Sequence, residues 1–277
     1  MDLQAEYDNR ARVPEHPAII AGWARDAAAF RAAWPDADLG LPYGPGERER
    51  LDLFRPGSGE AWPAALFLHG GYWQALDRSF FSHMARGLLA RGVAVAVPSY
   101  DLCPAVPLAR IVGQMRAAAA LLHRRTGGGA RRILAAGHSA GGHLAAMLAA
   151  TVAEDWRALG PGLPSDLVRA ALPISGVFEL ETLLATTIGA GLRLTPEEAR
   201  VLSPRLLSPP AGGVALHAAV GGGESGEFIR QSRDFAAAWC GGFEVLPGLN
   251  HFTVLDPLTD PGSPLAARAA AMAISLA

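Results

Sequence analysis

The chain alternates short apolar runs with longer amphipathic stretches. Residues 64–68 and 93–97 are apolar at every position, the pattern of a strand buried on both faces. Residues 132–136, 167–174 and 214–220 are mostly apolar and also predict strands, and 243–246 predicts a short one. Residues 50–54 alternate instead, which predicts a half-buried strand, closed by Pro56-Gly57-Ser58-Gly59. Between these runs the spacing turns helical. Ile19, Ile20, Trp23, Ala27, Phe30 and Trp34 predict a helix over 17–33 that stops before Pro35. Further helices are predicted over 80–90, with Gly92 as its cap, and over 107–124, ending at Gly127-Gly128-Gly129. Others cover 139 to about 154, 227–239 and 265–276. Strand and helix alternating in this way predict an α/β fold, with a mostly parallel sheet covered on both faces. Residues 176–211 break the alternation with several prolines and one short helical piece at 196–201. They read as a small cap inserted over the sheet. Neither a repeat nor a linker divides the chain, so residues 1–277 are expected to form one domain.

Composition narrows the chemistry. Half of the 277 residues are apolar, enough for a large core, and the net charge is −2 with both signs dispersed. That balance argues against nucleic acid or a membrane surface as partner. A small-molecule substrate is the expected partner, and nothing in the sequence argues against a homodimer. Every basic residue is arginine. A Walker phosphate loop, a Schiff-base lysine and pyridoxal phosphate chemistry all need lysine and are excluded. Cys103 and Cys240 lack metal-ligand spacing and are expected to be small buried hydrophobes. No histidine–carboxylate cluster has ligand spacing either, so neither a metal nor a cofactor is expected. No apolar run is long enough to span a membrane, and residues 1–12 lack a signal-peptide pattern, so a cytoplasmic location is expected.

The chemistry concentrates at Gly137-His138-Ser139-Ala140-Gly141. This G-x-S-x-G string follows a predicted buried strand and precedes a helix, the context of a nucleophile elbow. Glycines flank the serine because the turn leaves no room for side chains there, and the helix N-terminus favours a developing negative charge. In this architecture the order is serine, acid, histidine. Three histidines follow Ser139. His143 falls within the next helix and His217 within a predicted strand, where structural roles are expected. His251 stands in a loop after the last strand, where active sites form, and is the candidate base. The loop Gly221-Gly222-Gly223-Glu224-Ser225-Gly226-Glu227 offers two acids. Glu227 sits in a first helical turn, where a carboxylate complements the dipole in any case, so Glu224 is favoured. Asp256 ranks third. His69-Gly70-Gly71-Tyr72-Trp73 follows an early strand and has the pattern of an oxyanion loop. Gly70, Gly71 and Ala140 are the candidate N–H donors. Tyr72, Trp73, Phe178 and Phe252 are candidates for an aromatic substrate wall.

These motifs resemble those of kynurenine formamidases (arylformamidases) and their esterase-like relatives among the α/β-hydrolases. The resemblance extends to Glu6-Tyr7-Asp8-Asn9-Arg10, Ser99-Tyr100-Asp101-Leu102-Cys103-Pro104, residues 174–180, residues 224–232 and Asn250-His251-Phe252. It implies an α/β-hydrolase fold and a serine hydrolase with the triad Ser139, Glu224 and His251. It also implies hydrolysis of N-formyl-L-kynurenine or a related aryl formamide, with a carboxylesterase for short acyl esters as the alternative. Two positions depart from the pattern. Glu224 stands where family members carry aspartate, and Gly226 where proline is common.

Overall fold

A computed structural model of the protein describes residues 2–277. The apolar runs become strands of one eight-stranded sheet. The strands are β1 (Ala37–Pro42), β2 (Arg50–Phe54), β3 (Ala64–Leu68), β4 (Ala94–Pro98), β5 (Ile133–His138), β6 (Val168–Ile174), β7 (Ala215–Gly221) and β8 (Gly242–Leu246). They lie in the order β1-β2-β4-β3-β5-β6-β7-β8. β2 is antiparallel to both of its neighbours, and the strands from β4 to β8 across the sheet run parallel. The register sets Leu68 beside Gly137 and His138 beside Ile174. The carboxyl ends of β3, β5 and β6 are therefore level, and the loops leaving them share one edge.

Twelve helices surround the sheet among the described residues. At the N-terminus α1 (Leu3–Tyr7) and α2 (Asn9–Arg12) precede α3 (His16–Ala33). Then follow α4 (Arg86–Leu89), α5 (Leu108–Arg125), α6 (Ala140–Ala149) and α7 (Ala153–Ala158). Between β6 and β7 lie α8 (Thr187–Leu192) and α9 (Pro196–Val201), and α10 (Gly226–Ala238), α11 (Asp256–Thr259) and α12 (Pro264–Ile274) complete the chain. One face of the sheet buries Met115, Leu144 and Phe235 from α5, α6 and α10. The other buries Trp23, Phe30 and Ala269 from α3 and α12. Burial on both faces is why β3 and β4 are apolar throughout. No helix of the described chain is long and apolar enough to cross a membrane.

Several expectations need correction. Residues 80–90 are not one helix: two 3-10 turns, Arg78–Phe80 and Ser82–Ala85, lead into the four-residue α4. The helix after Ser139 ends at Ala149, and Val152 in extended geometry starts the separate α7. The strand β1 has no counterpart in the apolar pattern. It is an edge strand, half-exposed along its length, and its register with β2 slips between Asp38 and Leu41. His217 is only partly buried and faces Glu244 of β8 at 3.0 Å. Cys103 is buried, but Cys240 is exposed, at a positive φ just beyond the end of α10.

Candidate active site

The turn between β5 and α6 is held by the absence of two side chains. A Cβ on Gly137 would stand 2.2 Å from the Gly141 carbonyl oxygen, and one on Gly141 2.0 Å from that of Leu68. Neither position admits any residue but glycine. Between them Ser139 takes φ 56° and ψ −118°, a strained conformation for a non-glycine residue. Its N–H donates to the Ile174 carbonyl at 2.9 Å, tying the strained residue to the end of β6. Ala140 opens α6, so its N–H has no acceptor within the helix.

The loop after β3 comes up beside this turn. A Cβ on Gly70 would lie 3.2 Å from that of Ser139 and 3.1 Å from the His138 carbonyl oxygen, so the missing side chain eases the close approach of this backbone to the serine. Gly71 has φ 110°, and Tyr72 and Trp73 follow at φ 51° and 57°. Such a run of left-handed residues is costly and marks a backbone held for a purpose. His69 anchors the loop. Its ring is sandwiched between Tyr100, 4.2 Å away, and Phe81, 5.6 Å away. Burial lowers its pKa to about 4, so the ring is neutral and donates from Nδ1 to the Gly70 carbonyl at 2.7 Å.

Glu224 and His251 meet at the ends of β7 and β8. His251 Nδ1 and Glu224 Oε2 are 2.6 Å apart, and the Glu224 side chain is fully buried. The other carboxylate oxygen, Oε1, accepts from Ser175 Oγ at 2.5 Å and from the Gly221 N–H at 2.7 Å. Both oxygens are thus committed, and the carboxylate has one orientation. A Cβ on Gly221 would lie 2.4 Å from the Leu249 carbonyl oxygen, so the glycine loop is what brings the acid to the histidine loop. Glu227 points elsewhere. It receives hydrogen bonds from Tyr7, Arg230 and Gln231. Burial raises its pKa, but those hydrogen bonds outweigh it and hold the carboxyl below its ordinary value. Asp256 opens α11 and has no hydrogen bond to His251, whose Nδ1 is taken by Glu224.

One pocket of about 460 Å³ gathers these parts. Ser139, His251, Gly70 and Gly71 line it, together with Trp23, Phe81, Tyr72 and Phe252. No hydrogen bond joins Ser139 Oγ to His251 Nε2 among the described residues. In free hydrolases such contacts are commonly long and close only around a bound substrate. Two expected wall residues lie outside the pocket. Trp73 is fully buried, and its ring meets His143 edge-on at 4.9 Å. Phe178 is fully buried and stacks on Phe235 at 4.3 Å. Tyr72 does line the pocket, but its hydroxyl is spent on the Tyr7 carbonyl.

Other residues support or line the site without having been given a role from the sequence. Ser175, at φ 51°, fixes the acid. His138 precedes the serine and donates from Nε2 to the His251 carbonyl at 2.8 Å, joining the nucleophile strand to the histidine loop. Burial first, and the nearby His251 second, lower its pKa well below the ordinary value, so it serves as a neutral donor. Trp23 and Ile20 of α3, Asp8, Asn9 and Arg10, and Thr187 and Ile188 complete walls and rim. No set of three or more His, Cys, Asp or Glu side chains among the described residues is placed to hold a metal ion.

Comparison with known proteins gives the family of the fold. A family model of the alpha/beta hydrolase fold matches residues 65–203. The chain is 32% identical to the kynurenine formamidase of Salmo salar over 80% of its own length and 77% of that protein. It is 30% identical to that of Danio rerio with the same coverage. Among solved structures, a protein provisionally described as a thioesterase, from Silicibacter sp. TM1040, superimposes with a TM-score of 0.87 at 35% identity. That match covers 96% of this chain and 98% of that one.

Proposed function

The chain belongs to the α/β-hydrolase family, and on that premise we propose that it hydrolyses N-formyl-L-kynurenine, or a closely related aryl formamide, through Ser139. That it is a hydrolase follows from the family and its relatives. The choice of substrate rests on the kynurenine formamidases it resembles and on the shape of its pocket. One observation carries the reading. The serine with its strained turn and the carboxylate-paired histidine open into the same pocket, whose walls are Trp23, Phe81 and Phe252. An aromatic leaving group packs well on such walls.

The chemistry then runs in two halves. His251 Nε2 takes the Ser139 proton as Oγ attacks the formyl carbon. The oxyanion that forms lies at the N-terminus of α6, where Ala140 and the Gly70–Gly71 loop offer N–H donors. His251 returns the proton to the aryl nitrogen, the C–N bond breaks, and the free amine leaves. Water, deprotonated by His251, attacks the formyl ester and releases formate and the serine. Glu224 holds the imidazole with its proton on Nδ1 throughout and stabilises its charged form.

A carboxylesterase is the second reading; the match of nearly the whole chain to a protein provisionally described as a thioesterase ties this fold to acyl substrates other than formamides. A panel of N-formyl-L-kynurenine, p-nitrophenyl acetate and p-nitrophenyl butyrate separates the two. The formamidase reading expects the highest kcat/KM on the formamide. Preference for either ester by tenfold or more, on the order of 1.4 kcal/mol in barrier, overturns it.

A further inference from the structure

The pocket carries one opposite-charge pair that the mechanism does not use. Arg10 is the only lysine or arginine in its lining, and Asp8 the only aspartate or glutamate. Asp8 caps α2 and Arg10 lies in that helix's first turn. Neither is ion-paired among the described residues: the neighbouring Arg12 pairs with Glu6 instead. Asp8 uses one oxygen, Oδ1, to cap α2 at the Ala11 N–H, 3.0 Å away, which leaves Oδ2 open.

The segment that carries these charges is held firmly. Tyr7 is buried, its hydroxyl bonded to Glu227 at 3.0 Å and to Gln231 at 2.5 Å. Tyr72 donates its hydroxyl proton to the Tyr7 carbonyl at 2.7 Å. With that proton spent, Tyr72 Oη can only accept, so Asn9 must present its amide nitrogen to it, at 3.2 Å. The network thereby fixes the Asn9 side chain with Oδ1 turned away. That oxygen is buried and has no partner. A buried acceptor without a donor is costly, and a ligand donor would satisfy it.

A guanidinium, a carboxylate and an idle amide oxygen at the start of α2, all on residues lining one aromatic pocket, match a particular chemistry. We infer that Asp8, Asn9 and Arg10 hold the zwitterionic head of an α-amino acid, with Arg10 on its carboxylate and Asp8 and Asn9 Oδ1 on its ammonium. The inference deepens the formamidase reading and rests on it for the identity of the rest of the substrate. It divides the site into a reacting end at Ser139 and a recognition end at residues 8–10. It also gives the N-terminal segment a role distinct from packing. A plain acyl ester lacks the head and gains nothing from the clamp.

The test uses the full-length enzyme and three ligands. They are N-formyl-L-kynurenine, 2-formamidoacetophenone (the same ring and formamide without the amino-acid head), and L-kynurenine as inhibitor of p-nitrophenyl acetate hydrolysis. Arg10→Gln is expected to raise KM for N-formyl-L-kynurenine and Ki for L-kynurenine about tenfold, the scale of one charge-assisted contact at an exposed rim. The shift on 2-formamidoacetophenone should be much smaller. Arg10→Lys should recover part of the loss, and Asp8→Asn, which keeps the helix cap, should shift the same two constants in the same direction. Equal shifts on both formamides, or none on either, overturn the clamp. If the wild type cleaves p-nitrophenyl acetate but not the formamides, the formamidase reading falls. The clamp is then judged by L-kynurenine against kynuramine, its decarboxylated counterpart: weaker inhibition by kynuramine in the wild type, and parity in Arg10→Gln, sustain it. Parity in the wild type refutes it.

Discussion

Replacing Glu224 by glutamine changes almost nothing in shape, yet the hydrogen-bond geometry predicts a large loss. The carboxylate accepts on both sides: from His251 Nδ1 at 2.6 Å, and from Ser175 and Gly221 at 2.5 and 2.7 Å. The Gly221 N–H can only donate, so the amide oxygen of the variant has to take the Oε1 position. Its NH2 then faces His251 Nδ1 and can only donate as well. The imidazole satisfies it by shifting its own proton to Nε2, the nitrogen that must take the proton of Ser139. Wrong-tautomer variants of this kind lose about 10³- to 10⁴-fold in kcat, or roughly 4–5.5 kcal/mol of barrier. Glu227→Gln is the internal comparison. Glu227 bonds Tyr7, Gln231 and Arg230 rather than the histidine. Its loss should cost about 1–2 kcal/mol of stability in urea titrations and leave kcat within roughly fivefold of wild type. Steady-state kinetics of both variants on the preferred substrate decide the matter. A Glu224→Gln enzyme within tenfold of wild type, or a greater kcat loss in Glu227→Gln, removes Glu224 from the triad.

Two further outcomes follow from burial and close approach. His69 and His143 are fully buried, and burial lowers each pKa to about 4. In the unfolded chain the same rings titrate near 6.5. Between those values only the unfolded state binds the protons, so stability falls as pH drops from about 6.5 to 4, at roughly 1.4 kcal/mol per pH unit for each ring. Urea unfolding at pH 7 and pH 5 measures this, and an unchanged midpoint contradicts it. The second outcome pairs two glycines. Gly141→Ala puts a methyl 2.0 Å from the Leu68 carbonyl oxygen, whereas Gly113 within α5 has open space around it. Gly141→Ala should lose about 3 kcal/mol or more, and Gly113→Ala should gain about 0.5–1 kcal/mol through helix propensity. Similar melting temperatures for the two variants would show that the elbow is less constrained than its geometry indicates.

The parts of the fold that are plain in the sequence are those where one physical demand dominates. β3, β4, β5 and β6 are buried on both faces, and a short apolar run bounded by turn residues suits little except the inside of a sheet. Gly137 and Gly141 are legible because the turn admits nothing larger. The placement of His251 and Glu224 follows from topology, since each stands in a loop leaving the carboxyl end of the sheet. Less legible are elements whose stability comes from elsewhere. β1 contains Gly40 and ends in Pro42; it is held by pairing to β2 and by the Gly40 N–H donating to Asp52, at 2.8 Å, rather than by its own pattern. The short helices α1 and α2 depend on caps from Asp2 and Asp8 and on Tyr7 reaching a residue 220 positions away. Trp73 has the place of a substrate wall, beside the oxyanion motif, but at φ 57° it is fully buried and packs on His143. Trp23 shows the converse. Its helical spacing marks it as core, and it serves both core and pocket. Ser175 and His138 lie within quoted motifs, yet their partners come from distant loops that spacing cannot join.

Covalent trapping of the nucleophile tests the role of Ser139 most directly. The enzyme is titrated with a fluorophosphonate, residual hydrolysis of N-formyl-L-kynurenine is followed, and the labelled peptide is identified by mass spectrometry. One adduct is expected, on Ser139, with activity lost in proportion to labelling and no adduct in Ser139→Ala. Full labelling with activity retained, or an adduct on any other residue accompanying the loss, would contradict that role.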